Sequence, residues 1–199
     1  KYADTMKQYE GAEKETGTSA AGQWKKNIWD NLTFDPVEDY FLLNDIKDDD
    51  KEDAGKAFSL HKKVLKELRF DKSVSDKTFE DGSNEIPKEG GSVKERMLRI
   101  PPGQNHLFVK DTKWHVQGLM SNIYRRTDPL RPAFTVLAYG GGGTWSYHYD
   151  RKRSDLTNRE RARFQTFPDE YMFEGDRSQV RTQIGEAVPA QLGRKIAEV

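Results

Sequence analysis

Residues 156–169, Leu-Thr-Asn-Arg-Glu-Arg-Ala-Arg-Phe-Gln-Thr-Phe-Pro-Asp, specify both ends of one helix and constrain the chain more than any other stretch. Thr157 stands three residues before Glu160, the spacing at which a hydroxyl and a carboxylate each satisfy the other's backbone N–H at a helix N-terminus. The expected helix runs to about Phe164. Phe167-Pro168-Asp169 stops it, because proline has no N–H to donate and crowds the turn before it. Arg159 and Arg163 fall one turn apart, with Glu160 available to pair. Taken alone, such a string reads as a solvated helix.

Elsewhere the signals are shorter. Asp35-Pro36 predicts a short helix carrying Val37, Tyr40, Phe41 and Leu42, proline being tolerated in the first turn. Asp48, Asp49 and Asp50 read as an exposed break. From Glu52 to Phe70, apolar residues recur near helical spacing (Ala54, Ala57, Phe58, Val64, Leu65, Leu68) and predict an amphipathic helix. Residues 71–91, with Asp81-Gly82, Pro87 and Gly90-Gly91, read as a loop. Ser92-x-x-Glu95 has the capping-box spacing and opens a short helix with Val93, Met97 and Leu98, ended by Pro101-Pro102-Gly103. Ser121 to Tyr149 is rich in β-formers and predicts two or three strands. Gln183 to Pro189 reads as a turn, and a last helix starts near Pro189. Trp24 and Trp29 are the large apolar anchors of residues 1–34, and no internal repeat is present.

Apolar residues make up 34% of the chain and charged residues 33%, with a mean hydropathy of −0.94. Self-contained domains typically carry about 45–50% apolar residues. The chain is therefore expected to complete its core against something else. Its opening at Lys1, without a methionine, favours a piece of a longer protein. Charge is zero overall but unevenly placed: −7 over residues 35–53 and +5 over residues 121–165. A polyanion would bind the second region, where phosphate contact releases counterions; solvated surface is the plain alternative. The sequence holds no cysteine, which excludes disulfides, thiolate metal sites and a cysteine nucleophile. His61, His106, His115 and His148 lack metal-ligand spacing. No apolar run approaches the roughly 18–20 residues needed to cross a bilayer, and a soluble, cytoplasmic chain is expected.

Gly140-Gly141-Gly142-Gly143 follows a predicted strand. Such a run lets backbone approach a ligand without side-chain interference, and could cradle phosphate. The Lys-Ser/Thr pair that completes a P-loop is missing, and a plain hairpin turn remains open. Around it stand Tyr124-Arg125-Arg126 and Thr135-Val136-Leu137-Ala138-Tyr139. Arginine forks suit phosphate or the guanine edge, so these residues form a plausible groove-facing surface.

Taken in order, Tyr-Arg-Arg, Pro-x-x-Thr-Val, the glycine loop, the 156–169 string and Gln183-Ile184-Gly185-Glu186-Ala187-Val188-Pro189 resemble the C-terminal part of cytosine-5 DNA methyltransferases. The resemblance covers the end of the target-recognition domain and the ninth and tenth conserved motifs, over roughly residues 93–199. Glu95 to Asn105 also resembles an earlier stretch of that recognition domain. It implies binding to double-stranded DNA, a cytosine flipped from the stack, thiolate attack at C6, and methyl transfer from S-adenosylmethionine to C5. The family's Pro-Cys nucleophile, its glutamate motif and its main cofactor glycine motif are absent here.

By resemblance, Thr135 lies where the family contacts phosphate beside the flipped cytosine. Tyr139, Gly140, Gly141 and Gly142 match one recognition loop, and Arg125 and Arg126 lie where the other supplies contacts. Arg159, Glu160 and Arg163 match the ninth motif, whose role is mainly structural. Glu186 and Ala187 match the cofactor-facing tenth motif, but Glu186 replaces the family's usual Asn. An ionised Glu only accepts hydrogen bonds and adds charge.

The expected fold is α+β: a small, curved, mostly antiparallel sheet with flanking helices and a C-terminal helix packing on a missing Rossmann-like catalytic domain. Residues 1–92 form a variable part of the recognition region, 93–155 its sheet and loops, and 156–199 the helices returning to the catalytic domain. The function expected is the recognition portion of a methyltransferase, partnered by a catalytic domain or subunit, with no metal and no membrane. A divergent, non-catalytic binding module for DNA or a partner is the alternative. A free-standing nucleotide-binding enzyme ranks last.

Overall fold

The computed structural model describes residues 48–70, 72–74, 77–110, 112–117, 123–128, 131–141, 143–149 and 155–198. The helix expected around Asp35-Pro36, and the anchors Trp24 and Trp29, lie outside these residues. In chain order come α1 (Asp48–Glu67), α2 (Gly91–Arg99), a 3-10 turn (His106–Val109), α3 (Asn158–Phe164), α4 (Arg177–Glu186) and α5 (Ala190–Ala197). None of the described helices is long and apolar enough to cross a membrane.

Among the described residues there is no strand, which overturns the expected antiparallel sheet. Its place is taken by three irregular segments that touch at isolated bridges, Arg126 with Tyr147 and Tyr147 with Asp155. Gly103 N–H donates to Thr127 O at 3.3 Å, Arg126 N–H to Gln104 O at 2.9 Å, and Tyr147 N–H to Arg125 O at 3.0 Å. The backbone cannot hold a ladder beyond these points. Gly103, Tyr124 and Gly143 adopt φ of 76°, 53° and 89°, turning the chain where extended residues would be needed. The β-formers serve packing instead: Tyr124 and Tyr147 stack with centroids 5.9 Å apart. They join Met97, Ile100, Phe108, Val109, Trp114 and Ile123 in a first apolar core.

Helix boundaries bring further corrections. The triple aspartate opens α1 rather than breaking the chain; acidic residues are favoured in a helix's first turn. Helix α2 starts at Gly91 with Gly90 as N-cap and no side-chain cap, so the Ser92/Glu95 box does not form. Glu95 is engaged by Trp114 Nε1 at 3.4 Å, while Arg96 Nε donates to Trp114 O at 2.7 Å.

Helix α3 starts as its sequence dictates. Glu160 N–H donates to Thr157 Oγ1 at 3.1 Å, and Thr157 N–H to Glu160 Oε2 at 2.9 Å. Much of residues 183–189 is not a turn but the end of α4, which Asp176 and Gln179 cap by the same reciprocal arrangement. Helices α3 and α4 pack through a second core of Ala162, Phe173, Val180 and Ile184, joined by Val136 and Phe167. Val74 and residues 77–84, within the stretch 71–91 read as loop, are pinned to this unit. Asn84 Nδ2 donates to Val74 O at 2.5 Å and Lys77 O at 2.7 Å, and Thr157 Oγ1 donates to Asn84 Oδ1 at 2.8 Å.

Candidate nucleic-acid interface

The segment from Phe134 to Gly141 crosses the second core and ends at the surface. Val136 packs inward on α3 and α4, so period-2 alternation turns Thr135 and Leu137 outward, and both are exposed. Tyr139 is 69% exposed. Gly140 and Gly141 are exposed beside it, and Gly142 lies outside the described residues. At Gly143 the turn requires glycine: φ is 89°, and a Cβ would sit 2.7 Å from the Tyr124 ring. Arg125, half-buried, stacks its guanidinium over Phe134 with 3.1 Å to the centroid. Burial and the neighbouring Arg131 pull the Arg125 guanidinium below its ordinary pKa.

Arg126 does not belong to this surface. It is fully buried. Its Nε donates to Ile100 O at 2.6 Å, and its terminal nitrogens donate to Met97 O and His148 O. Two of those carbonyls lie at the C-terminal end of α2, where cationic side chains satisfy otherwise unmatched acceptors. The groove-facing role expected for Arg126 is replaced by a scaffold role, because a side chain held among carbonyls cannot reach phosphate.

Beneath the segment lies a charged cluster that sequence reasoning missed. Arg161 Nη2 meets Asp155 Oδ1 at 2.5 Å, with side chains 3% and 7% exposed. Trp145 receives the Arg181 guanidinium at 3.9 Å from its centroid and that of Arg161 at 5.2 Å. Burial, then the Arg161 charge, brings Arg181 down to about 10. Burial likewise raises Asp155 although Arg161 and Arg181 act against it. Arg161 also lines a small pocket with Thr135, Thr144, Trp145 and Ser146. The cluster fixes Trp145 directly behind the exposed loop. No sequence pattern announces it, since Arg161 and Arg181 lie on different helices.

Arg159 is fully buried and cross-links three segments. Its Nη2 donates to Asp81 Oδ2 at 2.7 Å and Tyr171 O at 2.9 Å, its Nε to Ser83 Oγ at 2.9 Å, and its Nη1 to Asp169 O at 3.2 Å. Burial alone would raise the Asp81 carboxyl. The Ser83 hydroxyl, the Phe173 and Ser83 N–H groups and the Arg159 charge together hold it below its ordinary value. Arg163 grips Asp169 with two hydrogen bonds, 2.9 and 2.6 Å, and these keep Asp169 low. Glu160 lies 3.8 Å from His148 Nε2 besides closing its cap.

Glu186 ends α4 and Ala187 caps it. Glu186 Oε1 accepts the Tyr139 hydroxyl at 2.6 Å, and Ala187 O accepts from Gln165 Nε2 at 3.2 Å. Of the residues singled out from sequence, Tyr139 and Glu186 are thus brought into contact, whereas Arg125 and Arg126 point apart. Among the described residues no group of three or more His, Asp or Glu is placed to hold a metal ion.

Over residues 11–199 the chain matches the model of the C-5 cytosine-specific DNA methylases, and it belongs to that family. It is 50% identical over 200 residues to the DNA (cytosine-5-)-methyltransferase M.ApeKI of Aeropyrum pernix, covering all of this chain and 43% of that protein. It is 44% identical over 110 residues to the type II methyltransferase M.NgoFVII of Neisseria gonorrhoeae, covering 55% of this chain and 29% of that one. With type II methyltransferase M.BbvI of Brevibacillus brevis the identity is 44% over 124 residues, covering 60% and 33%. The chain thus spans less than half the length of each of these relatives. No solved structure matches it.

Proposed function

We propose that this chain is the DNA-recognition portion of an S-adenosylmethionine-dependent DNA (cytosine-5)-methyltransferase, binding duplex DNA around a flipped cytosine and inactive on its own. One observation carries the reading: a member of a family that attacks cytosine with a thiolate has no cysteine in 199 residues. The thiolate must come from a catalytic domain or subunit of the same enzyme.

Within that enzyme, residues 93–155 serve recognition and residues 156–199 return the chain to the catalytic portion. Thr135 offers its hydroxyl to a backbone phosphate, and Tyr139 with Gly140, Gly141 and Gly142 meets base edges in the major groove. Arg125 adds a cation alongside them. Arg159, Glu160 and Arg163 hold the platform rigid, so the loop's geometry precedes DNA contact. Val188, Leu192 and Ile196, 66%, 51% and 66% exposed, give α5 and the turn before it an apolar side for the catalytic portion.

S-adenosylmethionine supplies the methyl group when bound. Glu186 has one carboxylate oxygen engaged by Tyr139, which leaves the other as an acceptor for an amino or hydroxyl donor. With Ala187 it fits the rim of a cofactor site, whose main body the catalytic portion provides.

The engagement of Glu186 by Tyr139 also favours a second reading, a divergent binding module that holds DNA or a partner without supporting methylation. One experiment separates the two. Labelled S-adenosylmethionine is supplied with duplex DNA to this chain alone, and to the chain joined to the family's Pro-Cys-containing portion. The first reading expects transfer in the joined protein alone. Transfer by the isolated chain would overturn it, and no transfer by either would favour the module.

A further inference from the structure

Tyr139 and Glu186 lie 47 positions apart, yet the tyrosine hydroxyl donates to Glu186 Oε1 at 2.6 Å. The contact spans a seam where backbone lies on backbone. A Cβ at Gly185 would fall 2.2 Å from Ala138 N and 2.5 Å from Leu137 C, so only glycine lets α4 come this close. The turn after α4 is held from its other side as well. Gln165 Nε2 donates to Ile184 O at 3.0 Å, Ala190 N–H donates to Gln165 O at 3.1 Å, and Gln191 N–H donates to Thr166 Oγ1 at 2.9 Å. The tip of the glycine loop and the end of α4 therefore share one joint, braced by α3 behind and closed by the Tyr139–Glu186 contact in front. The hydrogen bond to Glu186, then its charge, raises the Tyr139 phenol, which stays protonated and donating at neutral pH.

We propose that Tyr139 and Glu186 are a positioning pair, locking the DNA-facing loop to the turn that carries Glu186 and Ala187, so that duplex DNA at one and cofactor at the other alter each other's affinity. The proposal rests on the assignment of DNA to the loop and of cofactor to the turn. Coupling of this kind is reciprocal, since the pair's free energy belongs to both equilibria.

The test measures the affinity of the complete methyltransferase for S-adenosylhomocysteine with and without sonicated genomic duplex DNA. The coupling factor is the ratio of the two affinities. The pair predicts a factor of at least about fivefold in the unsubstituted protein. Tyr139→Phe and Glu186→Ala each bring it close to one, and the double variant goes no further. Glu186→Gln, which keeps an acceptor for the hydroxyl, retains more of the factor than Glu186→Ala. A purely structural role would shift thermal stability and leave this ratio in place. An unchanged factor in Tyr139→Phe, or effects that add in the double variant, would overturn the pair. Absence of duplex binding by the unsubstituted protein would overturn the assignment beneath it, and the pair with it.

Discussion

Two buried arginines organise the two halves of the described structure, and they do so with different partners. Arg126, between α2 and the segment holding Tyr147, bonds the carbonyls of Met97, Ile100 and His148. Arg159, at the start of α3, bonds the Asp81 carboxylate, the Ser83 hydroxyl and the carbonyls of Asp169 and Tyr171. Each ties together segments distant in sequence that no regular ladder joins. A guanidinium with five donors in a fixed fork is suited to that work. At Arg159 one of the partners is a carboxylate that is itself 1% exposed. Removal of Arg159 strands a buried anion, whereas removal of Arg126 takes a donor from the carbonyls of Met97, Ile100 and His148.

The largest expected effect follows. Arg159→Met should lower folding stability by about 3–5 kcal/mol, the cost of breaking a buried pair from one side. Arg126→Met should cost about 1–3 kcal/mol, the scale for buried polar groups left without a donor. Chemical denaturation of both variants measures this directly, and equal losses would break the comparison. Gly185→Ala is next, at about 1–3 kcal/mol, because overpacking here pushes on backbone rather than on a side chain that can turn aside. A loss under half of that would mean the loop yields from α4.

Acid sensitivity sharpens the same contrast. Asp81 and Asp169 are held below their ordinary values. Their contribution to stability is present above the unfolded carboxylate pKa of about 4 and is lost as pH falls through the depressed folded values. Asp155 has the opposite sign, since burial raises it. Asp81→Asn should therefore flatten the fall in stability below about pH 4. A fall as steep as that of the unsubstituted protein would show that Arg159 does not anchor the acid limb.

Much of the α3 region was legible, because a capping box is local grammar: Thr157, Glu160 and Pro168 lie within a dozen residues. Helix α4 was missed although Asp176 and Gln179 carry the same grammar, since its apolar face is only Val180 and Ile184. The expected sheet failed for a different reason. β-propensity reports how well a side chain fits a half-buried surface, and Tyr124 and Tyr147 fit one without ladders around them. Of the residues singled out by resemblance, Thr135 and Tyr139 are exposed. Arg126 was misplaced because its burial depends on Met97 and His148, 29 and 22 positions away. The Asp81–Arg159 pair spans 78 positions and has no local signature.

The central claim is that the surface from Thr135 to Tyr139 faces DNA while the buried arginines only hold it in place. Equilibrium binding of duplex DNA by the complete enzyme, with Thr135→Ala at matched thermal stability, tests it most directly. The account predicts a loss of about tenfold, within the 1–3 kcal/mol range of a direct contact. Unchanged affinity in that variant would contradict it.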